Sequence, residues 1–173
     1  MTLSPHSWTP ERSGSLLFAD AIQRILPHRY PFLLLDRVTD FTPGRHIAGV
    51  KSFSAGDAAY QGYFPGSPLV PTAILLEMVT QLGGILVLEQ PGMAGKIAYI
   101  LQISRAELHV PVYAGDTLRV EAEVLKVRER LGELRGMAYR GASLVAEGQM
   151  RFAILDASGW LGKSGEITPG SRP

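Results

Sequence analysis

The chain has 173 residues, 46% of them hydrophobic and 19% charged, and a formal net charge of +1. These values fit one soluble domain with tails and give a polyanion no electrostatic foothold, so nucleic acid is not expected as a partner. Cysteine is absent, which removes disulfides, thiolate metal sites and a cysteine nucleophile. The histidines, His6, His28, His46 and His109, are scattered without metal-ligand spacing, so neither a metal nor a cofactor is expected.

Residues 1–14 are polar and proline-bearing, without the apolar core of a secretory signal, and read as a tail. A cytoplasmic location is the expectation. The domain is expected over 15–156. Its first segment, SLLFADAIQRIL, places Leu17, Phe18, Ile22, Ile25 and Leu26 at helical spacing and stops at Pro27. PFLLLDRVTDF is rich in strand formers and ends in the turn signal Thr42-Pro43-Gly44. RHIAGVKSFS then reads as the returning strand of a hairpin.

From Pro71 to about Glu89 the length and the Leu/Met/Ala content predict a helix, opened by Pro71 and closed before Pro91-Gly92. It is apolar on nearly every side, so it should be buried on nearly every side. Glu77, Thr80, Gln81, Gly83 and Gly84 make it too polar for a membrane span. Each mid-helix glycine costs roughly 1 kcal/mol relative to alanine, which close packing against a neighbour would offset.

The remainder alternates like strands. GKIAYILQISRAELHVPV becomes amphipathic along its length. In TLRVEAEV, Leu118, Val120, Ala122 and Val124 alternate with Thr117, Arg119, Glu121 and Glu123. ELRGMAYRGAS is a further strand. In LVAEGQMRFAIL, Ala146, Met150 and Phe152 oppose Glu147, Gln149 and Arg151. Residues 157–173 read as a second tail. One buried helix and about four antiparallel strands predict an α+β fold whose sheet curls around the helix.

Three features converge on chemistry. Glu77 lies inside the buried helix, with Thr80 and Gln81 at i+3 and i+4 on its face. A carboxylate in apolar surroundings has its pKa raised and is either paired or used. The helix start near Thr72 and Ala73 offers unpaired N–H groups and a positive dipole end, suited to a thioester carbonyl. The turn QGYFPGSP, with Tyr63 at its tip, immediately precedes that start. Each feature also has a plain structural reading: a carboxylate bonded to backbone, an ordinary tight turn. His28 reads as a partner for the end of the first helix, and His46 and His109 as structural or exposed.

Together these residues resemble a known family. ILPHRYPFLLLDRV (25–38) looks like the opening signature of the (3R)-hydroxyacyl-acyl carrier protein dehydratases of bacterial fatty-acid synthesis. GYFPGSPLVPTAILLEMVTQLGG (62–84) is similar to their active-site segment. PVYAGDTLRVEAEVLK (111–126) resembles their Pro-Val-x-Pro-Gly-Asp-x-Leu strand entry, and LVAEGQMRFAI their last strand. The likeness spans about residues 20–155.

The resemblance implies a hot-dog fold, a long helix wrapped by an antiparallel sheet. It implies dimers, often three to a hexamer, and a substrate carried on acyl carrier protein or CoA. In the family a histidine in a Gly-His-Phe-Pro-Gly turn of one subunit works opposite a helix glutamate of the other. The glutamate matches Glu77 and the glutamine one turn later matches Gln81. Gly62, Phe64, Pro65 and Gly66 match the turn, and Thr72 and Ala73 the carbonyl-polarising helix start. Two positions depart. Tyr63 stands where the family has its histidine, and Thr72 where it has glycine.

Histidine titrates near ~6.5 and tyrosine near ~10, so at pH 7 roughly one tyrosine in a thousand is phenolate. The expected function is therefore dehydration of 3-hydroxyacyl thioesters, weakened by the loss of that base. Glu77 would be acid/base and Tyr63 its polar partner. Two alternatives remain at this point: a hot-dog thioesterase using Glu77, or a non-catalytic subunit paired with an active dehydratase. Arg29, Arg105 and Lys126 are candidates for docking an acidic carrier protein.

Overall fold

The computed structural model describes residues 17–159. The elements in chain order are β1 (Leu17–Phe18), α1 (Ala19–Ile25), β2 (Arg37–Thr42), β3 (His46–Ser52), α2 (Thr72–Leu88), β4 (Lys96–Leu108), β5 (Thr117–Arg128), β6 (Leu131–Arg140) and β7 (Ser143–Asp156). A short 3-10 turn, Ala157–Gly159, follows. The strands form a single seven-stranded sheet in the order β1-β2-β3-β5-β6-β7-β4. Every pairing is antiparallel. The expected tails lie outside the described residues, except for 157–159, where Ala157 N–H bonds to the Gly95 carbonyl.

Helix α2 packs against β3, β4, β5, β6 and β7, so the sheet wraps it as a hot-dog fold requires. Leu75, Met78, Leu82, Ile85 and Leu86 follow one face of the helix and are each 0% exposed, and Val87 and Leu88, which point to other sides, are only 2% and 8% exposed. Apolar residues all round a helix need neighbours all round it, and the curled sheet provides them. Gly83 shows how close the two layers come. A Cβ there would sit 2.7 Å from the Leu134 side chain of β6. The missing methyl group lets the helix rest on the sheet, which offsets glycine's poor helix propensity. No helix among the described residues is long and apolar enough to cross a membrane.

Three local differences from the sequence pattern have physical causes. The first helix begins at Ala19 rather than Ser15, because Leu17 and Phe18 pair with Val38 and Arg37 at the sheet edge. The strand read over PFLLLDRVTDF begins only at Arg37. Residues before it form a loop whose Leu34 and Leu35 are each 3% exposed. The loop satisfies part of its backbone on a side chain of α2, described below. Finally, Glu147 lies on the polar side of the β7 alternation but is buried. Arg105 and Arg135 fold over it, at 3.2 and 3.0 Å.

Candidate active site

The site is organised by Gln81, which is 1% exposed. Its Oε1 accepts a bond from the Leu34 N–H at 2.9 Å, and its Nε2 donates to the Phe32 carbonyl at 2.7 Å. These two partners fix which end of the amide points where, since an N–H needs an acceptor and a carbonyl a donor. The second Nε2 hydrogen goes to Glu77 Oε1, at 2.9 Å. One buried amide thus fastens the loop after α1 to the helix and holds the carboxylate one turn earlier. Both of its Nε2 hydrogens are occupied within the chain.

That loop carries His28 to the same carboxylate. His28 Nε2 lies 3.6 Å from Glu77 Oε1. That separation is just beyond hydrogen-bond reach. His28 Nδ1 is buried without a hydrogen-bond partner. Its ring tilts against Phe32, centroids 6.1 Å apart. Burial lowers the pKa of His28, and the adjacent Arg29 cation lowers it further. Burial raises the pKa of Glu77, and the Gln81 bond opposes that rise in part. Both shifts favour the uncharged forms, imidazole and carboxylic acid.

The pair opens onto a cavity of about 590 Å³. Leu26, Phe32, Leu88, Ile97, Ala98 and Ile100 give it apolar walls, and His28, Glu77, Thr80 and Gln81 its polar corner. Thr80 follows the expected face, but its hydroxyl bonds back to the Leu76 carbonyl at 2.8 Å. An apolar chamber with one concentrated polar corner is suited to a greasy chain bearing a reactive polar group.

The remaining predicted residues stand elsewhere. Gly62, Tyr63, Phe64, Pro65 and Gly66 form an exposed turn. Gly62 and Gly66 have φ of 78° and 79°, the left-handed backbone that the two bends of this turn require. Tyr63 is 57% exposed and packs edge-on against Phe64, centroids 4.6 Å apart. Thr72 and Ala73 follow Pro71 at the start of α2, where helix geometry leaves N–H groups without intrahelical acceptors. Neither the turn nor Thr72 and Ala73 lines the cavity within one chain. Glu77 and Gln81 come together as expected, whereas Tyr63 does not join them in the same chain.

Of the charged candidates, Arg29 adjoins the cavity loop and donates to the Leu26 and His28 carbonyls at 2.8 and 2.7 Å. Arg105 is engaged by Glu107 and Glu147. Lys126 lies in a separate surface groove with Arg128 and Arg151. The ligand atoms of Glu107, His109 and Glu147 also gather within 4.8 Å of one another, a cluster that sequence spacing does not disclose. Its buried carboxylate, Glu147, already faces two guanidinium groups and is held below the usual carboxylate range, first by the Arg135 bond.

Known proteins match this chain over the same region. The FabA-like domain model matches residues 26–154. A protein of Desulforamulus reducens named 3-hydroxyacyl-[acyl-carrier-protein] dehydratase FabZ is 42% identical over 139 residues, covering 80% of this chain and 98% of the relative. The protein of that name from Symbiobacterium thermophilum is 44% identical over 134 residues, covering 78% and 94%. Among solved structures, the dehydratase heterocomplex ApeI:P from Xenorhabdus doucetiae aligns with a TM-score of 0.66 at 19% identity, over 76% of this chain and 89% of that one. A hot-dog-like protein from Thermanaerovibrio acidaminovorans aligns with a TM-score of 0.56 at 21% identity, over 67% and 84%. These likenesses support the fold, and the sequence matches go further. The chain belongs to the FabA-like family, with the FabZ-type 3-hydroxyacyl-[acyl-carrier-protein] dehydratases as its relatives.

Proposed function

We propose that this protein removes water from 3-hydroxyacyl thioesters carried on acyl carrier protein or CoA, as a step in acyl-chain synthesis in the cytoplasm. The observation that carries the reading is the half-buried carboxylate of Glu77, oriented by Gln81 at the polar corner of an apolar cavity. The acyl tail occupies the apolar walls and places C2 and C3 at Glu77. The free N–H groups of Thr72 and Ala73 polarise the thioester carbonyl. Tyr63 hydrogen-bonds the substrate rather than taking its proton. The test is to incubate the protein with 3-hydroxyacyl thioesters of several lengths and follow enoyl product by absorbance or mass. Release of free thiol without enoyl product would assign it to the thioesterases instead.

A second copy of the chain completes the site. Edge strand β4 leaves Leu101, Ile103 and Leu108 exposed at 54%, 50% and 43%. Bulges at Ile100/Gln102 and Ile103/Arg105 interrupt its pairing with β7, and among the described residues no strand lies beside its other edge. An apolar edge of this kind is suited to antiparallel pairing with its own copy. Such a homodimer brings the Gly62–Gly66 turn of one subunit toward the cavity of the other, and three dimers build a hexamer. Light scattering on wild type and on the Leu101→Glu, Ile103→Glu double variant tests this. The expected change is from dimer or hexamer to monomer.

A further inference from the structure

An elimination across neighbouring carbons needs a base for C2–H and an acid for the departing hydroxyl. Among the described residues, the titratable side chains lining the cavity are His28, Glu77 and Tyr99. Tyr99, on β4, carries a phenol and offers neither an imidazole nitrogen nor a carboxyl group. The imidazole and the carboxyl group are the pair suited to the task, and both belong to one chain.

We propose that His28 and Glu77 act as a single proton-exchanging pair in cis, His28 Nε2 as the base and Glu77 as the acid. The proposal rests on the dehydratase reading above. Its geometry comes from three facts. His28 Nε2 and Glu77 Oε1 are 3.6 Å apart on the cavity wall. Gln81 occupies Glu77 Oε1 as a donor, which leaves Oε2 to carry the acidic proton. His28 Nδ1 is buried with no partner, so nothing at that nitrogen fixes the tautomer. Glu77 therefore sets it. An ionised Glu77 draws Nε2–H toward its Oε1, and a neutral Glu77 releases that bias, so that the Nε2 lone pair is available as a base. Burial favours the neutral forms of both groups, and Arg29 adds to this at His28.

The step balances within the pair. His28 Nε2 takes the C2 proton, and the C2–H electrons become the C2=C3 double bond. The C3–O bond breaks, and the hydroxyl leaves as water with the Glu77 proton. Imidazolium and carboxylate then face each other at ion-pair distance. Return of the proton from His28 to Glu77 restores the starting state, with no external acid, base or oxidant. The tyrosine at the tip of the turn is then compatible with turnover, because the base comes from the loop after α1.

The experiment uses the intact protein. His28→Gln should lower kcat/KM for dehydration by about 10²-fold or more, the usual contribution of a positioned base. It should also remove the acidic limb of the pH profile while leaving a folded protein by circular dichroism. Activity within threefold of wild type overturns the proposal. A second measurement is independent of turnover. The His28 imidazole is titrated by NMR in wild type and in Glu77→Gln. Glu77→Gln removes the proton that His28 would exchange with, so the His28 titration should shift, and an unchanged titration overturns the pairing. If wild type dehydrates no 3-hydroxyacyl thioester, the functional reading fails, while the NMR titration still decides whether the pair exists.

Discussion

Glu77 accepts a bond from a buried amide, faces an imidazole and lines an apolar cavity. Tyr63, in the turn just before the same helix, is more than half exposed and touches Phe64. The first region is assembled by contacts within one chain. The second offers side chains to whatever approaches from outside. A change in the first should therefore alter stability and chemistry together, whereas a change in the second should alter chemistry and leave the folding of the chain nearly untouched.

The sharpest break in that comparison is Glu77→Gln. Dehydration should fall by about 10²–10⁴-fold, the range for a positioned proton donor or acceptor. Stability should move the other way. The folded-state pKa of Glu77 is raised, so between its unfolded value and its folded value the native state holds the extra proton. Stability consequently falls as pH rises through that window, and the cost is fully present above it. Glutamine carries no such cost. The variant should melt higher than wild type at pH 7, and the difference should shrink as pH falls toward 4. Thermal melts across that pH range check it.

Gln81→Leu attacks the same region through its scaffold. The Leu34 N–H, the Phe32 carbonyl and Glu77 lose their shared partner inside the core. Leaving buried polar groups unpaired should cost about 2–4 kcal/mol, read as a lower urea midpoint. Activity should fall as well, since the loop bearing His28 and the carboxylate are released from each other. A variant that loses activity at unchanged stability would place Gln81 on the substrate rather than in the framework.

The two regions were unequally legible in the sequence. The apolar run around Glu77, its glycines and the strand alternations carry their own periodicity, and the helix, hairpin and four long strands follow from it. Gln81 was legible as a neighbour of Glu77 because both sit on one helix at i and i+4. Its bonds to Phe32 and Leu34 were not, because they join segments about fifty residues apart. His28 was missed for the same reason. Local pattern places it after a helix, and only the tertiary clamp brings it to Glu77. The one available signal was its position inside the ILPHRYPFLLLDRV motif. Glu147 shows the converse. Alternation puts it on the polar face, but arginines from β4 and β6 cover it there.

The exposed turn yields the smallest effect on stability and the most informative one on chemistry. Tyr63→Ala removes an exposed ring whose closest aromatic contact is its neighbour, so unfolding free energy should change by no more than about 0.5 kcal/mol. Any larger drop in dehydration than in stability then belongs to a surface the isolated chain does not cover. Tyr63→His sharpens the point. In the wild-type background it adds a second imidazole to a site that already holds one, and the gain should be modest. In the His28→Gln background it supplies the missing base from the turn, so part of the lost dehydration should return. That recovery requires the turn of one subunit to reach Glu77 of another. In the Leu101→Glu, Ile103→Glu background, where the edge pairing is broken, the recovery should disappear while Glu77 and Gln81 remain bonded. Enoyl formation measured across these combinations separates a base supplied within the chain from one supplied across the edge of β4.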